Sequence, residues 1–434
     1  MQKKSFLSYR LFGWLFILLV LSMSSCNPLV PATTVPTVPS SSPTVAYNPS
    51  AAVTPAPTSS QSNILRLWLP PQWDPNSDSP VGHLLDERLK GFEAQFPALT
   101  IEVRIKANDG VGGMLDSLTN ASAAAPLALP DLALLSRPLL EASAQKGILH
   151  PLNSYQGNPE EDIWYPYARQ LTMVQNTNYG IPFTGDLFVL AYSKSITSEI
   201  PKDWGDWMAS PYRLSFNGND TQAMVLMVIY LLNGGKLQDD QGHPTIDQDI
   251  LTNVLEDFAL AGRQGKIPAW VTQTDNSQLF VQALDEQHSD LFYLWSSQYL
   301  QNNPLKWAIL PGFYINNQTL CLASGWIWAS PSSQAEKINL SFQLANFLSD
   351  KEFLAKISEQ SGTLPTQPGA FSLWKNKEVA NDFDAISEIA QVGPPLSIST
   401  AITPALHNAL IAVLKDHTAV PQAVTEAIAA IKKP

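Results

Sequence analysis

The residues able to do chemistry are scattered in a way that argues against an enzyme. His83, His150, His243, His288, His407 and His417 lie far apart, and none stands at metal-ligand spacing from another. No Gly-x-Ser-x-Gly elbow, His-Glu-x-x-His pair or glycine-lysine phosphate loop occurs. The acid pairs Glu160-Glu161 and Asp239-Asp240 sit in polar stretches and read as solvated. Two cysteines, Cys26 and Cys321, are too few for a disulfide framework or a four-cysteine zinc site. Cys321 lies in an apolar run and reads as an inert core thiol. No metal site and no cofactor is expected. What remains is recognition chemistry: amides and carboxylates that suit hydroxyls, and indoles that suit a sugar ring's C–H face or a cation. Gln72-Trp73-Asp74 is one such cluster, with a surface turn at Asp74-Pro75-Asn76 as the competing reading. The run from Asn108 to Gly113 offers helix-start amides to an anion or hydroxyl, or is a plain turn.

Such residues need a scaffold, and the periodicities supply one. Ile64–Leu69 reads as a strand, Leu84–Phe96 as a helix with one apolar face, and Leu99–Ile105 and Leu132–Leu135 as further strands. Strand, helix, strand, helix, strand implies parallel pairing with helices on the sheet faces. The pattern continues with strands at Leu187–Tyr192, Leu291–Leu294, Trp307–Leu310 and Leu320–Trp328. Helices are expected at Gln222–Leu232, Ile250–Arg263, Glu336–Leu348, Lys351–Gln360, Pro404–Lys415 and Pro421–Lys432. The class is α/β, in two lobes.

Ahead of this scaffold the sequence changes character. Lys3, Lys4 and Arg10 precede the apolar stretch Leu11–Met23, which has the length of a signal h-region and is too short to span a membrane. It runs into Leu21-Ser22-Met23-Ser24-Ser25-Cys26, which resembles a bacterial lipobox, although leucine is commoner where Met23 stands. Residues 1–25 are therefore expected to be a signal peptide and Cys26 to be lipidated. From Asn27 to Ser62 there are eight prolines, thirteen serines and threonines and no charge, so residues 26–63 read as a stiffened, unfolded tether. A chain of 434 residues leaves room for two or three domains. Its net charge of −12 excludes a sequence-independent grip on nucleic acid phosphates.

From about Ile64 onward the chain resembles the extracellular solute-binding proteins of bacterial ABC importers, of the maltodextrin-type family. Blocks in the family's order carry the resemblance: Leu65-Arg66-Leu67-Trp68, and Phe92 to Pro97 after the first helix; Pro130 to Leu134, with Gln145 to Leu152 behind it; Tyr179-Gly180-Ile181-Pro182-Phe183, then Leu190 to Lys194 and Trp204; Gly325-Trp326-Ile327-Trp328-Ala329, with Gly362-Thr363-Leu364-Pro365; and the two C-terminal helices. The resemblance implies a class II-like periplasmic-binding fold, each lobe a sheet flanked by helices, with the ligand cleft between lobes. Lobe 1 would comprise residues 64–183 and 325–368, and lobe 2 residues 184–324 and 369–434. Crossings between lobes would fall near Phe183–Asp186, near Leu320–Gly325 and after Gly362.

The same resemblance implies a ligand set. Gln72, Trp73 and Asp74 match polar contacts of the first lobe, as do Ser136 and Arg137, although Arg137 is as well explained by a salt bridge within its lobe. Phe183 adjoins the crossing. Asp186 falls where sugar-binding members carry an acidic contact, and a carboxylate can accept two hydroxyl hydrogens at once; the competing reading is a solvent-facing aspartate. Asn217 and Trp295 would contribute from the second lobe, Trp295 as a stacking ring. Trp326 and Trp328 share a strand, and at most one is expected at the cleft. Ser397–His407 contains no aromatic where maltodextrin binders usually have them, which favours a smaller solute. The expected function is a membrane-anchored, monomeric extracytoplasmic receptor that delivers a sugar-like solute to ABC permease subunits, with no nucleic acid partner. A lipoprotein sensor or docking module on the same fold, or a cell-surface glycoside hydrolase, are the alternatives.

Overall fold

The computed structural model describes residues 63–431, apart from 153–162, 197–198, 274–281, 284–285, 287, 303–305 and 333. The signal, the lipobox and all of the tether expected at 26–63 except Asn63 lie outside these residues, and Asn63 already belongs to the first strand.

Parallel pairing appears where the alternation of strand and helix requires it. Strand β1 (Asn63–Leu69) leads to helix α1 (Pro80–Gln95), which the Ser79 hydroxyl caps through the Gly82 amide. Strand β2 (Leu99–Ile105), helix α2 (Met114–Ala124), strand β3 (Leu132–Ser136) and helix α3 (Arg137–Gln145) follow. β1 pairs in parallel with both β2 and β3. The Asn108–Gly113 run is a turn in which Gly110 and Gly112 take positive φ and the Gly112 amide donates to Asp116. Helix α4 (Pro166–Thr172) and the short hairpin β4 (Met173–Val174) and β5 (Thr177–Asn178) then lead into β6 (Gly180–Ser193).

β6 is twice as long as its apolar run suggested, because it continues through the expected crossing. Its alternation buries both faces: Leu187, Val189 and Ala191 join one apolar cluster, Phe188 and Leu190 the other. The second cluster is built by α5 (Trp204–Ala209), β7 (Leu214–Ser215), the wholly apolar α6 (Met224–Leu232), α7 (Gln248–Arg263) and β8 (Leu291–Trp295). Helix α8 (Ser296–Gln301), β9 (Trp307–Leu310) and the hairpin β10 (Tyr314–Ile315) and β11 (Gln318–Thr319) bring the chain to β12 (Leu322–Ala329). Helices α9 (Ala335–Leu348) and α10 (Lys351–Ser361), strand β13 (Leu364–Pro365), helix α11 (Lys377–Ile389) and strand β14 (Gln391–Val392) follow. Helices α12 (Leu396–Leu414) and α13 (Val420–Ile431) end the described chain.

One ten-stranded sheet runs through the molecule in the order β2-β1-β3-β12-β6-β8-β7, with β13 and β9 also on β6 and β14 also on β12. The three segments expected to cross between lobes lie side by side in it. Gly185 of β6 pairs with Gly325 of β12 on one side and with Leu364 of β13 on the other. A Cβ at Gly185 would run into the Tyr167 hydroxyl, and one at Gly325 into the Thr184 carbonyl, so glycine is what lets these strands close up.

Helix α12 differs from its expectation. It begins at Leu396 and carries Pro404 in its interior, where proline was read as a start. At 19 residues it is long and apolar enough to cross a membrane by length and composition. Here Ile402, Leu406, Ala409 and Leu410 are buried in the second cluster instead.

Candidate functional site

Strand ends and crossings converge on a cavity of about 500 Å³. Ser136 and Arg137 reach it from the β3–α3 junction, Trp295 from the end of β8, and Asp186 and Trp326 from the crossing strands. The sheet register makes this possible, since Trp326 pairs with Ser136 on one side and Thr184 on the other, and Ser324 pairs with Asp186. A smaller neighbouring cavity of about 280 Å³ shares Asp186 and Trp326 and adds Gln72, Trp73, Gln301 and Thr363. Seven of the ten candidate residues therefore line one of two adjoining spaces at the crossing. Ligands of open α/β sheets are expected beyond such strand ends.

The remaining three do not. Phe183 is fully buried, its ring 5.0 Å from those of both Trp73 and Trp328, so it is a core residue with no surface to offer a solute. Asn217 is exposed, lines neither cavity, and accepts the Asn219 amide at 3.2 Å in its own turn. Asp74 lines neither cavity, and its carboxylate holds the Asn76 amide at 2.9 Å, which is the surface-turn reading. Trp326 lines both cavities, whereas Trp328 is fully buried. Residues two apart share a face of a regular strand. Here the register shifts between Trp326 and Ile327, and beyond it the strand enters the core.

Asp186 is firmly held. Its Oδ1 accepts from the Ser296 hydroxyl at 2.7 Å and the Ser297 amide at 3.0 Å, and its Oδ2 accepts from the Ser297 hydroxyl at 2.6 Å. Burial pushes its carboxyl above the usual aspartate range, and the bonds from Ser297 and Ser296 oppose that shift. Arg137 is held as well. Its Nε donates to Glu141 Oε1 at 2.6 Å, and its Nη1 donates to the carbonyls of Gln170 and Leu171 at 3.0 and 2.6 Å. Burial pushes this guanidinium below its ordinary value, and Glu141 opposes that shift.

Sequence reasoning missed Glu141, which is 3% exposed and lines the larger cavity. Its other oxygen accepts the Leu396 amide at the start of α12 at 2.6 Å. The signal was the four-residue step from Arg137, which puts both side chains on one helix face. Ser399, Thr400 and Thr403 were also missed; they line the cavity from the aromatic-free segment. Cys321 is 1% exposed, and burial pushes its thiol well above the ordinary value, as suits an inert core position. Among the described residues, no group of three histidine, cysteine, aspartate or glutamate side chains is placed to hold a metal ion.

Helices on both faces of a sheet crossed by three strands, with a cavity at the crossing, define a two-lobed solute receptor of the periplasmic-binding type. Residues 87–385 match the family described as bacterial extracellular solute-binding protein, and the chain belongs to that family. Its place is therefore extracytoplasmic. No curated protein matches the chain. Among solved structures it is similar to the sugar-binding protein MalE of Xanthomonas citri, with a TM-score of 0.69 at 19% identity over 85% of this chain and 96% of that one. Maltose-bound MalE3 of T. maritima gives 0.65 at 15% identity, over 85% and 99%. The GacH receptor of Streptomyces glaucescens, solved unliganded and with acarbose, gives 0.66 at 15%, over 86% and 98%.

Proposed function

We propose that this protein is a lipid-anchored receptor that captures a small sugar or related polyol between two lobes and hands it, unchanged, to an ABC permease. The observation that carries this reading is the cavity of about 500 Å³ that brings Trp295 and Trp326 together with Asp186. Its volume falls within the roughly 300–1,000 Å³ of small-molecule sites. Indole faces suit the C–H face of a pyranose, and Asp186 Oδ2, with one protein donor, keeps capacity for a hydroxyl. Hydroxyls of Ser399, Thr400 and Thr403 stand where binders of long oligosaccharides would carry aromatics, which favours a small ligand. The maltose and acarbose held by MalE3 and GacH agree with this class.

The lobes divide at the Gly185–Gly325–Leu364 crossing, as 64–183 with 325–368 and 184–324 with 369–434. A ligand touching both favours the closed form by its differential affinity, and a permease reads that form. The anchor is Cys26, behind a signal peptide of residues 1–25 and a tether of residues 26–63, and the receptor works as a monomer without a cofactor. The test is a thermal-melting screen of the full-length protein against sugars, polyols and related solutes. A bound solute is expected to raise the melting temperature in a concentration-dependent way. Turnover of that solute by the pure protein would instead identify an enzyme.

A further inference from the structure

Three buried or half-buried carboxylates around the cavity of about 500 Å³ are bonded to the protein's own donors. Glu141 takes the Arg137 Nε and the Leu396 amide. Asp186 takes the Ser296 and Ser297 hydroxyls and the Ser297 amide. Asp220, just before Gln222 of the cavity wall, takes the Gln222 and Met224 amides at 3.0 and 3.2 Å. The charged side chains lining the cavity are Arg137, Glu141 and Asp186. Arg137 and Glu141 cancel as an ion pair with 14% and 4% side-chain exposure, so Asp186 is the remaining acidic group of the lining.

Resting on the sugar-receptor reading above, we propose that this carboxylate set, with Glu141 as its key member, restricts the site to uncharged polyhydroxy ligands and rejects sugar acids and other anions. An incoming carboxylate or sulfate meets an Arg137 whose charge Glu141 already offsets and whose Nε and Nη1 are committed to Glu141 and two main-chain carbonyls. Wherever Asp186 is ionised it also meets a like charge, and like charges brought together in a desolvated site are strongly disfavoured. A neutral hydroxyl has no such penalty. It can donate to Asp186 and exchange hydrogen bonds with the serine and threonine hydroxyls of α12. Glu141 touches no solute in this scheme; it positions and neutralises Arg137 and so sets specificity.

The test pairs neutral and acidic probes on the full-length protein, read by intrinsic tryptophan fluorescence and calorimetry. Glucose is compared with glucuronate and glucosamine, galactose with galacturonate, and sodium sulfate serves as a bare anion. The wild type is expected to show no saturable response to the acids or to sulfate, or one about a hundredfold weaker than to the neutral partner. Glu141→Gln keeps the shape and an acceptor for the Leu396 amide but leaves Arg137 unpaired, so it should gain a saturable response to glucuronate, galacturonate or sulfate. Asp186→Asn, which removes the remaining acidic group, should shift the same ratio in the same direction. The inference is overturned if the wild type binds a sugar acid within tenfold of its neutral partner, or responds only to glucosamine. It is also overturned if both variants fold and neither gains anion binding. Should no sugar bind at all, the receptor reading fails on that count, and the anion response of Glu141→Gln still decides the charge rule.

Discussion

Trp326 and Trp328 are the same residue type two positions apart, yet their surroundings assign them different work. Trp326→Ala should lower the melting temperature of the ligand-free protein less than Trp328→Ala does and cost about 1–3 kcal/mol of binding, since its half-buried ring also lines both cavities. Trp328→Ala should cost about 3–5 kcal/mol of stability by opening a cavity beside Phe183. Calorimetric melting together with ligand titration of each variant separates the two. Asp186 yields a test in pH. Its folded carboxyl holds a proton more tightly than the unfolded chain does, because burial outweighs the bonds from the two serines. From the ordinary aspartate value of about 3.9 up to its own raised value, its contribution to stability therefore falls as pH rises. Urea unfolding across that window should show Asp186→Asn gaining on the wild type as pH increases. A constant difference would mean that the serines offset the burial completely. At this scale, residue types were readable in the sequence but surroundings were not. Phe183 looked like a cleft residue because it adjoins the crossing, and only the ring contacts with Trp73 and Trp328 place it in the core. Arg137 was readable as either a ligand contact or a salt-bridge member, and the structure gives it both a bond to Glu141 and a place on the cavity wall.

Among the elements, β6 and β12 matter most, and their packing depends on Gly185. Gly185→Ala should cost about 1–3 kcal/mol through overpacking against Tyr167, measured by denaturant unfolding. Adding Tyr167→Phe should restore part of the loss, because the hydroxyl is the atom met first. No recovery would point to backbone entropy instead. Most helices and strands were legible because their periodicities are strong, as with β1, α1 and β2. The full reach of β6 was not, because Gly180, Pro182 and Gly185 are poor strand formers that tertiary pairing holds extended. The start of α12 was hidden for the opposite reason. Pro404 is a strong signal for a first turn, and packing of Ile398 and Ile402 in the second cluster carries the helix through it. The continuity of one sheet across both lobes is a matter of long-range register, which no local pattern encodes.

At the scale of the whole molecule, the proposed anchor is what would couple the receptor to a membrane surface. If Cys26 carries the lipid, Cys26→Ala should leave unprocessed precursor or release the protein, seen by fractionation and lipid labelling; a variant processed and labelled normally would remove the anchor from the scheme. The crossing has a consequence for how the chain reaches its folded form. β6 pairs with β12 from Phe188–Leu322 to Gly180–Ala329, and with β13 at Gly185–Leu364. β13 joins that ladder only at Leu364, so nothing N-terminal to residue 364 can complete it during synthesis. Closing loops of that size must precede any gain from their contacts, which makes such topologies slow to fold. The chain thus stays pliable until residue 364 has emerged, and the ladder of β12, β6 and β13 is among the last parts to set.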